Sequence, residues 1–203
     1  MPPDIIEPTH KRGRESQDRI VRATLALIEA TPFDQLTIAE IMGEAGMAVG
    51  TFYRRFRTKE SVLPFVFKAY DELFEEWARG FAEDEPASRD EAIDLIVRRT
   101  ARLFSEHAGL IRTVHLYNRL HPEISDIQPS RGELSALMGA VLAKDSDHPT
   151  IDALIRGRMA VLTMVSVMTE HFLYRDLAPA ATANLRNRDI QELLTRMLKA
   201  LAA

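Results

Sequence analysis

The sequence predicts an all-α protein, and three observations lead to this prediction. Apolar residues recur every three or four positions along most of the chain, the spacing that places them on one face of a helix. Strand-like alternation, internal repeats and low-complexity tracts are absent from the sequence. Glycine and proline divide the chain into about nine helical segments, which we expect to form three short N-terminal helices and a larger helical body.

Composition narrows the class of protein further. The chain has 203 residues, of which 46% are hydrophobic and 28% charged, as in an ordinary globular protein. The absence of cysteine excludes a disulfide scaffold, a thiolate metal site and a cysteine nucleophile. The longest uncharged apolar run, residues 159–169, is about half the roughly 20 residues that a membrane span needs. We therefore expect a soluble cytoplasmic chain with no cofactor and no membrane partner.

The first helix is predicted from its flanking residues. Residues 1–15 are polar and contain three prolines, which predicts a flexible arm. Ser16 is the expected N-cap of the helix, and Thr31 before Pro32 is its expected end, because a residue before proline leaves the helical region. The arm ends in a basic cluster: Lys11, Arg12 and Arg14.

The second and third helices are short. Thr37 and Glu40 have capping-box spacing at the start of the second helix, and Gly46 ends it after about two turns. The third helix is predicted from four residues at helical spacing that we expect to face the core: Val49, Phe52, Tyr53 and Phe56.

The remaining helices are longer. Residues 58–60 begin a helix that we expect to continue to about Phe81, and Ser88 with Glu91 begins the next one, to about His107. Four further helices are predicted at residues 110–120, 130–144, 150–174 and 190–201.

Two short helices joined around residues 46–48 have the spacing of a helix-turn-helix unit. With the apolar stripe of the third helix turned inward, Gly50, Thr51, Arg54 and Arg55 face outward. This face combines small residues with guanidinium groups and suits close approach to a nucleic-acid groove. Four cations also lie within six residues here: Arg54, Arg55, Arg57 and Lys59.

These residues resemble the DNA-binding domain of the TetR-type transcriptional regulators. The resemblance covers residues 16–63 and rests mainly on TIAEI at 37–41, AGM at 45–47, GTFYRRF at 50–56 and KE at 59–60. It implies a helix-turn-helix DNA-binding domain at 1–60 and a ligand-binding and dimerisation domain at 61–203. It also implies a DNA-contacting set: Thr37, Ala48, Val49, Gly50, Thr51, Tyr53, Arg54, Arg55 and Lys59. Thr37, Tyr53 and Lys59 are the expected phosphate contacts.

Two positions depart from the family pattern. Proline stands at position 32, where the family often has glycine, and alanine stands at position 48, where a serine commonly caps the recognition helix. Loss of such a cap costs about 0.5–2 kcal/mol. Neither departure removes a DNA-contacting group, so we expect both to affect stability and structural detail and not function.

The helix at 150–174 is apolar on nearly all sides, which predicts burial on more than one face. We expect one face to line the interior and the other to meet a second subunit, together with the last helix. The alternative is a central core helix of a monomer. The predicted homodimer interface is Met164, Met168, Phe172, Ile190, Leu194, Met197 and Leu201. A symmetric dimer suits a pseudo-palindromic operator on double-stranded DNA.

We expect the regulator to be a repressor that a small hydrophobic effector releases from DNA. Its predicted pocket is mostly apolar with a few hydroxyl groups: Phe104, Leu116, Tyr117, Leu120, Met138, Met159, Leu162, Thr163 and Ser166. A filled core without a cavity is the alternative reading of the same residues.

Other classes of function find less support in the sequence. Spacings of eight and six residues between His107, His115 and His121 do not give a helical metal pair, so no metal site is predicted. Nucleophile-elbow and phosphate-loop motifs are absent, so no catalytic residue and no enzyme are predicted. A helical ligand-binding protein, or a DNA-binding scaffold without an effector response, is the remaining alternative.

Overall fold

The computed structural model describes residues 5–6, 8, 10–84, 86–121, 136–141, 151–174 and 184–202. This part of the chain holds nine helices and no β-strand, which confirms the all-α prediction. The helices are α1 (Lys11–Ile28), α2 (Ile38–Glu44), α3 (Val49–Phe52), α4 (Leu63–Glu83), α5 (Arg89–Glu106), α6 (Ala108–Leu120), α7 (136–141), α8 (Ile151–Met168) and α9 (Asn187–Ala202). None of the described helices is long and apolar enough to cross a membrane.

Two helices carry an additional turn of different geometry. A 3₁₀ turn, Lys59–Val62, leads into α4, and a π-helical turn, Thr169–Leu173, continues α8. The predicted helix at 150–174 is therefore present, but its last turn is wider than an α-helix. Of the helix predicted at 130–144, only residues 136–141 are among the described residues.

The chain divides into two compact units. The first unit comprises Met1–Glu72 and Gly109–Asp126, and the second comprises Leu73–Ala108 and Ile127–Ala203. The sequence predicts a boundary at residue 60 between a DNA-binding domain and a ligand-binding domain, and this division stays a prediction. In the first unit α1 packs on α2, and α2 packs on α3. The core there includes the fully buried side chains Ile20, Ile28, Ile41, Met42, Phe52 and Phe56.

Helix α6 belongs to the first unit and begins against the end of α1. The Glu29 carboxylate accepts hydrogen bonds from the backbone N–H groups of Gly109 (2.8 Å) and Leu110 (3.2 Å). A Cβ at position 109 would lie 2.0 Å from the Ile28 carbonyl oxygen, so only glycine fits there. A carboxylate at a helix N-terminus is favourable, because it satisfies free N–H groups and opposes the helix dipole.

In the second unit α5 packs against α9, α8 and the π-helical turn, and α8 packs on α9. The core is apolar and includes Ile93, Ile96, Val97, Phe104, Met164, Met168, Leu194 and Leu198. At its edge, Lys199 of α9 pairs with Asp94 (3.0 Å) and Asp90 (3.6 Å) of α5. The interaction with Asp94 raises the pKa of Lys199, in spite of partial desolvation.

The prediction that α1 begins at Ser16 is wrong. The helix begins at Lys11, and the Ser16 hydroxyl donates to the Arg12 carbonyl oxygen (2.8 Å), a bond typical of serine inside a helix. The predicted arm is correspondingly shorter. Ile6 N–H donates to the Arg55 carbonyl oxygen (2.9 Å), which ties the segment before α1 to the segment after α3.

Candidate nucleic-acid interface

The start of α2 is fixed by a complete capping box, as predicted. The Thr37 hydroxyl accepts from Glu40 N–H (3.2 Å), and the Glu40 carboxylate accepts from Thr37 N–H (2.7 Å). The hydrogen bonds from Thr37 lower the pKa of Glu40. Thr37 is exposed, but both its hydroxyl and its N–H already have partners in the chain, so its phosphate contact stays a prediction.

The turn after α2 has the geometry that the glycine predicts. Gly46 has a φ of 63°, its N–H donates to the Gly43 carbonyl oxygen (3.0 Å), and Met47 N–H donates to that of Met42 (2.9 Å). These two bonds make a Schellman motif, which ends the helix with a left-handed residue. The Arg19 guanidinium of α1 also donates to the Ala45 carbonyl oxygen, so the turn is held from a second helix.

Helix α3 is shorter than predicted, and its two faces are sharply different. Phe52 and Phe56 are completely buried, and their ring centroids lie 5.3 Å apart. The prediction that Val49 and Tyr53 also face the core is wrong, because they are 43% and 54% exposed. The α-helix ends at Phe52, and only two of the four residues that we expected to face the core are buried.

The exposed side of this segment has few protruding side chains and is positively charged. Its exposed residues are Ala48, Val49, Gly50, Tyr53, Arg54 and Arg57, and Thr51 is half-buried. A Cβ at Gly50 would meet no atom, so the surface is open at this point. Cationic and hydroxyl groups around a low surface can reach phosphate oxygens while the helix end enters a groove.

Arg55 does not face outward as predicted. Its side chain is half-buried, and its guanidinium lies where a Cβ of Gly13 in α1 would be, with Nη2 at 2.8 Å from that position. Its Nη1 donates to the Arg54 carbonyl oxygen (3.1 Å). The basic cluster at 11–14 lies on the first turn of α1, so glycine at position 13 allows that turn to pass close to Arg55.

Lys59 has a structural position that the sequence does not predict. Its ammonium donates to the carbonyl oxygens of Phe33 (2.9 Å), Asp34 (3.0 Å) and Leu36 (2.8 Å). It also lies 5.0 Å from the centroid of the Phe33 ring. All three donors of the ammonium are therefore used inside the first unit. The side chain holds the loop between α1 and α2, and its predicted phosphate contact would need these bonds to open.

The two faces of α8 differ from their predicted roles. Met164 and Met168, predicted at the dimer interface, are fully buried. Ile190 and Leu194 of α9, predicted there too, are each only 2% exposed. Phe172, Met197 and Leu201 are half-buried. The exposed face of α8 instead carries Ile155, Met159 and Leu162, and α9 adds the exposed Leu193. Side chains without accessible surface have nothing to offer a second subunit, so the exposed set is the candidate interface.

The predicted pocket residues fall into three environments. Phe104 and Met138 are buried in the second unit, whereas Met159, Leu162 and Ser166 are exposed there. The Thr163 hydroxyl donates to the Met159 carbonyl oxygen (2.7 Å). The others belong to the first unit: Leu116 and Leu120 are exposed, and Tyr117 packs edge-on against Phe33 at 5.2 Å. Burial raises the pKa of Tyr117, and the charges of Asp34 and Glu60 add to this.

A known family of proteins matches the region of this interface. The family model described as "Bacterial regulatory proteins, tetR family" matches residues 20–64, from within α1 to the start of α4. A comparison with curated protein sequences finds no match. The matched region contains the capping box, the Gly46 turn and the exposed side of α3, and it confirms the resemblance stated from the sequence.

Solved structures show that the likeness in fold extends over most of the chain. A TetR-family transcriptional regulator from Streptomyces coelicolor has a TM-score of 0.68 at 16% identity, covering 93% of this chain and 80% of that one. The fatty acid degradation regulator FadR from Bacillus halodurans has 0.59 at 20% identity, covering 93% and 97%. FadR from Bacillus subtilis, solved in complex with stearoyl-CoA, has 0.61 at 18% identity, covering 92% and 97%.

Proposed function

We propose that this chain is a TetR-type transcriptional regulator, a one-component repressor that binds a pseudo-palindromic operator as a homodimer. A small hydrophobic effector releases it from DNA. Regulators of this family are in general non-enzymatic DNA-binding proteins, and we extend this to the present chain. We place its action in the cytoplasm, where bacterial DNA is accessible.

The exposed side of the α3 segment carries the DNA-binding proposal. Val49, Gly50 and Tyr53 present a low surface, and Arg54 and Arg57 add positive charge to it. The groups behind this surface are fixed: Phe52 is buried, and the turn at Gly46 is closed by two backbone bonds. A pre-positioned surface of this kind loses little conformational entropy on binding, which favours a specific complex.

The first experiment selects operator sequences from random DNA with the purified protein and measures retention of the selected duplex. We expect Arg54→Ala and Tyr53→Ala to weaken retention at least tenfold without lowering the thermal midpoint. Arg196→Ala, which removes an exposed arginine of α9, is the matched control and should retain DNA as the unmodified protein does. Affinity should also fall steeply with salt, because each phosphate contact releases counterions. Unchanged retention in both α3 variants contradicts the proposal.

The homodimer proposal rests on the exposed apolar side chains of the second unit. Ile155, Met159 and Leu162 lie at helical spacing on α8, and Leu193 is on α9, which packs against α8. Exposed apolar residues clustered on packed helices are typical of a subunit interface. A two-fold axis there also matches the two-fold symmetry of the proposed operator.

Light scattering tests the dimer. We expect a mass near twice the 22.9 kDa of one chain at micromolar concentration, and Leu162→Asp should reduce it to that of a monomer. Leu120→Asp is the matched control, because Leu120 is 59% exposed and Leu162 60%, but Leu120 belongs to the first unit. A monomeric unmodified protein, or equal effects of the two substitutions, contradicts the proposed interface.

The effector proposal distinguishes a regulator from a DNA-binding scaffold without a response. A ligand changes DNA binding only if it binds one arrangement of the protein better than another. The FadR structure from Bacillus subtilis contains stearoyl-CoA, which supports ligand binding by a chain of this fold. Release of the selected operator by a small apolar molecule supports the effector, and a complete lack of response across such molecules favours the scaffold.

A further inference from the structure

Three described side-chain atoms of the second unit are buried without a hydrogen-bond partner. They are Nε1 of Trp77 on α4, the hydroxyl oxygen of Thr100 on α5 and Nδ1 of His171 on the π-helical turn. Thr100 is 1% exposed and His171 is fully buried. Buried polar groups in native proteins nearly always have a partner, because a lost hydrogen bond to water is otherwise not replaced. Thr100 and His171 lie on elements that pack together, so their unpartnered atoms call for a common functional reason.

The two atoms lie on elements that pack against each other. Helix α5 contacts the π-helical turn, and Phe104, one helical turn after Thr100, has its ring centroid 6.4 Å from that of Phe172. The His171 ring lies 4.9 Å from the Phe172 ring. A single π-helical turn within an α-helix costs stability and is frequent at functional sites. Aromatic rings therefore lie next to His171 and one helical turn from Thr100.

The hydrogen bond of His171 fixes what its other nitrogen can do. Nε2 lies 2.8 Å from the amide oxygen of Asn187 at the start of α9. An amide oxygen only accepts, so Nε2 carries the proton in this bond. In the neutral imidazole Nδ1 is then an acceptor with a free lone pair, whereas the Thr100 hydroxyl can donate or accept.

This pair of atoms has a defined complement. A hydroxyl group can donate to Nδ1 and accept from the Thr100 hydroxyl, whereas an ether oxygen cannot donate. A carboxylate would bring negative charge to a lone pair in an apolar interior, which is unfavourable. Small-molecule sites typically combine apolar and aromatic walls with a few polar groups that orient the ligand.

We propose that Thr100 and His171 are the hydrogen-bonding anchors of a small-molecule site in the second unit, and that its ligand is a neutral, largely apolar alcohol or phenol. The role of this ligand as the effector rests on the proposed function, but its binding does not. Phe104 and Phe172 supply aromatic contacts to the ligand. Neither Thr163 nor Ser166, the hydroxyl residues of the predicted pocket, takes part.

The test compares hydroxyl compounds with their methyl ethers on the full-length protein. Phenol and 1-naphthol are the probes, and anisole and 1-methoxynaphthalene are their matched controls. Calorimetric titration and the thermal midpoint are measured for the unmodified protein and for Thr100→Val and His171→Phe. We expect both substitutions to weaken 1-naphthol binding about tenfold and to leave the weaker binding of the ethers unchanged.

The thermal midpoint of Thr100→Val is a second measurement, and a structural role of the Thr100 hydroxyl would change it in the opposite direction from a role in ligand binding. Valine has nearly the same shape, so losing an unpartnered buried hydroxyl should raise the thermal midpoint of the ligand-free protein. Thr113→Val is the control: its buried hydroxyl donates to the Gly109 carbonyl oxygen (2.8 Å), so its loss should lower the midpoint and leave 1-naphthol binding intact. This contrast also holds if His171→Phe fails to fold.

The outcomes separate this site from the proposed function. No binding of phenol or 1-naphthol to the unmodified protein, equal binding to Thr100→Val, or a lowered midpoint for Thr100→Val each overturns the site. Binding that depends on Thr100 and His171 but leaves operator retention unchanged supports the site and overturns its role as an effector site. Failure to retain any DNA overturns the proposed function, whereas the titrations still decide the site.

Discussion

The two units use their charged side chains differently. In the first unit, charged groups reach across the sequence to the backbone: Lys59 to the loop at 33–36, Arg19 to the end of α2, and Glu29 to the start of α6. In the second unit, the described contacts of charged groups that lie far apart in sequence are with other charges, as in Arg99 with Asp84 (2.7 Å) and Lys199 with Asp94 (3.0 Å).

This difference teaches which substitutions change shape and which change only surface charge. A charged group bound to backbone carbonyl or N–H groups fixes the path of the chain, so its loss leaves polar backbone atoms without partners. An exposed ion pair contributes about 0–1 kcal/mol, because water and salt screen it. The first unit therefore depends on individual polar contacts for the shape of the side that carries α3, and the second depends mainly on apolar packing.

The largest expected effect separates two neighbouring aromatic residues of the first unit. Phe52→Ala empties a completely buried position and should lower the free energy of unfolding by about 3–5 kcal/mol. Tyr53→Ala removes a ring that is 54% exposed and should weaken DNA retention with little loss of stability. Urea unfolding and operator retention of both variants check this. An equal loss of stability in the two variants would show that Tyr53 contributes as much to the core as Phe52 does.

The second prediction concerns the contact between α1 and α6. At position 109 a Cβ would lie 2.0 Å from the Ile28 carbonyl oxygen and 2.5 Å from Glu29 Cα, both backbone atoms. Gly109→Ala should therefore lower the free energy of unfolding by about 1–3 kcal/mol, as overpacking generally does.

Gly43→Ala is its control. A Cβ at position 43 of α2 meets no atom within 4 Å, so alanine should stabilise the helix by up to about 1 kcal/mol. The two identical substitutions are thus expected to have opposite signs in urea unfolding. A stabilising Gly109→Ala would refute the close approach of α6 to the end of α1.

Local signals in the sequence predict much of the first unit. The Thr37–Glu40 capping box and the Gly46 turn are confirmed because each depends on residues within a few positions of one another. The predicted start of α1 at Ser16 is wrong, because the helix begins at Lys11 without a side-chain cap bond and so has no capping residue that marks its start. The position of Lys59 could not be predicted either, because its three carbonyl acceptors lie 23–26 residues earlier in the sequence.

The second unit was predicted less well at the level of single residues. Periodicity showed that α8 is apolar on nearly all sides, but it does not tell which face is covered by α5 and α9. The burial of Met164 and Met168 and the exposure of Met159 and Leu162 reverse the expected roles of the two faces. Unpartnered atoms such as those of Thr100 and His171 depend on tertiary packing and have no sequence signal at all.

The third prediction compares two lysines of the first unit. Lys59→Met leaves three carbonyl oxygens without the ammonium and should lower the free energy of unfolding by about 1–2 kcal/mol. Lys68→Met breaks only an exposed pair with Glu72 at 3.5 Å and should cost less than about 0.5 kcal/mol. Lys59→Arg should not restore stability, because a planar guanidinium cannot replace a three-donor ammonium. If Lys59→Met and Lys68→Met lower the free energy of unfolding in urea equally, Lys59 stabilises the fold no more than an exposed lysine does.

The smallest expected effect lies at the start of α9. Asp189 accepts hydrogen bonds from Arg186 N–H (2.9 Å) and from its guanidinium (2.9 and 3.0 Å), which lowers the pKa of Asp189 from 3.8 to about 2. A carboxyl whose pKa is lower in the folded state stabilises the fold above its unfolded pKa. This stabilisation should therefore be complete above about pH 4 and be lost as the pH falls toward 2.

Asp189→Asn tests this linkage through thermal midpoints measured between pH 2 and 7. The unmodified protein should exceed the variant by a constant small margin above pH 4, and the margin should close as the pH approaches 2. Arg186→Gln should reproduce the same closing margin, and the double variant should add little to either single one, since all three remove one interaction. Added salt should reduce the margin, because the pair is near the surface. A margin in thermal midpoint that persists at pH 2 would show that Asp189 acts through helix geometry and not through its charge. The second unit would then depend, like the first, on a contact between a side chain and the backbone.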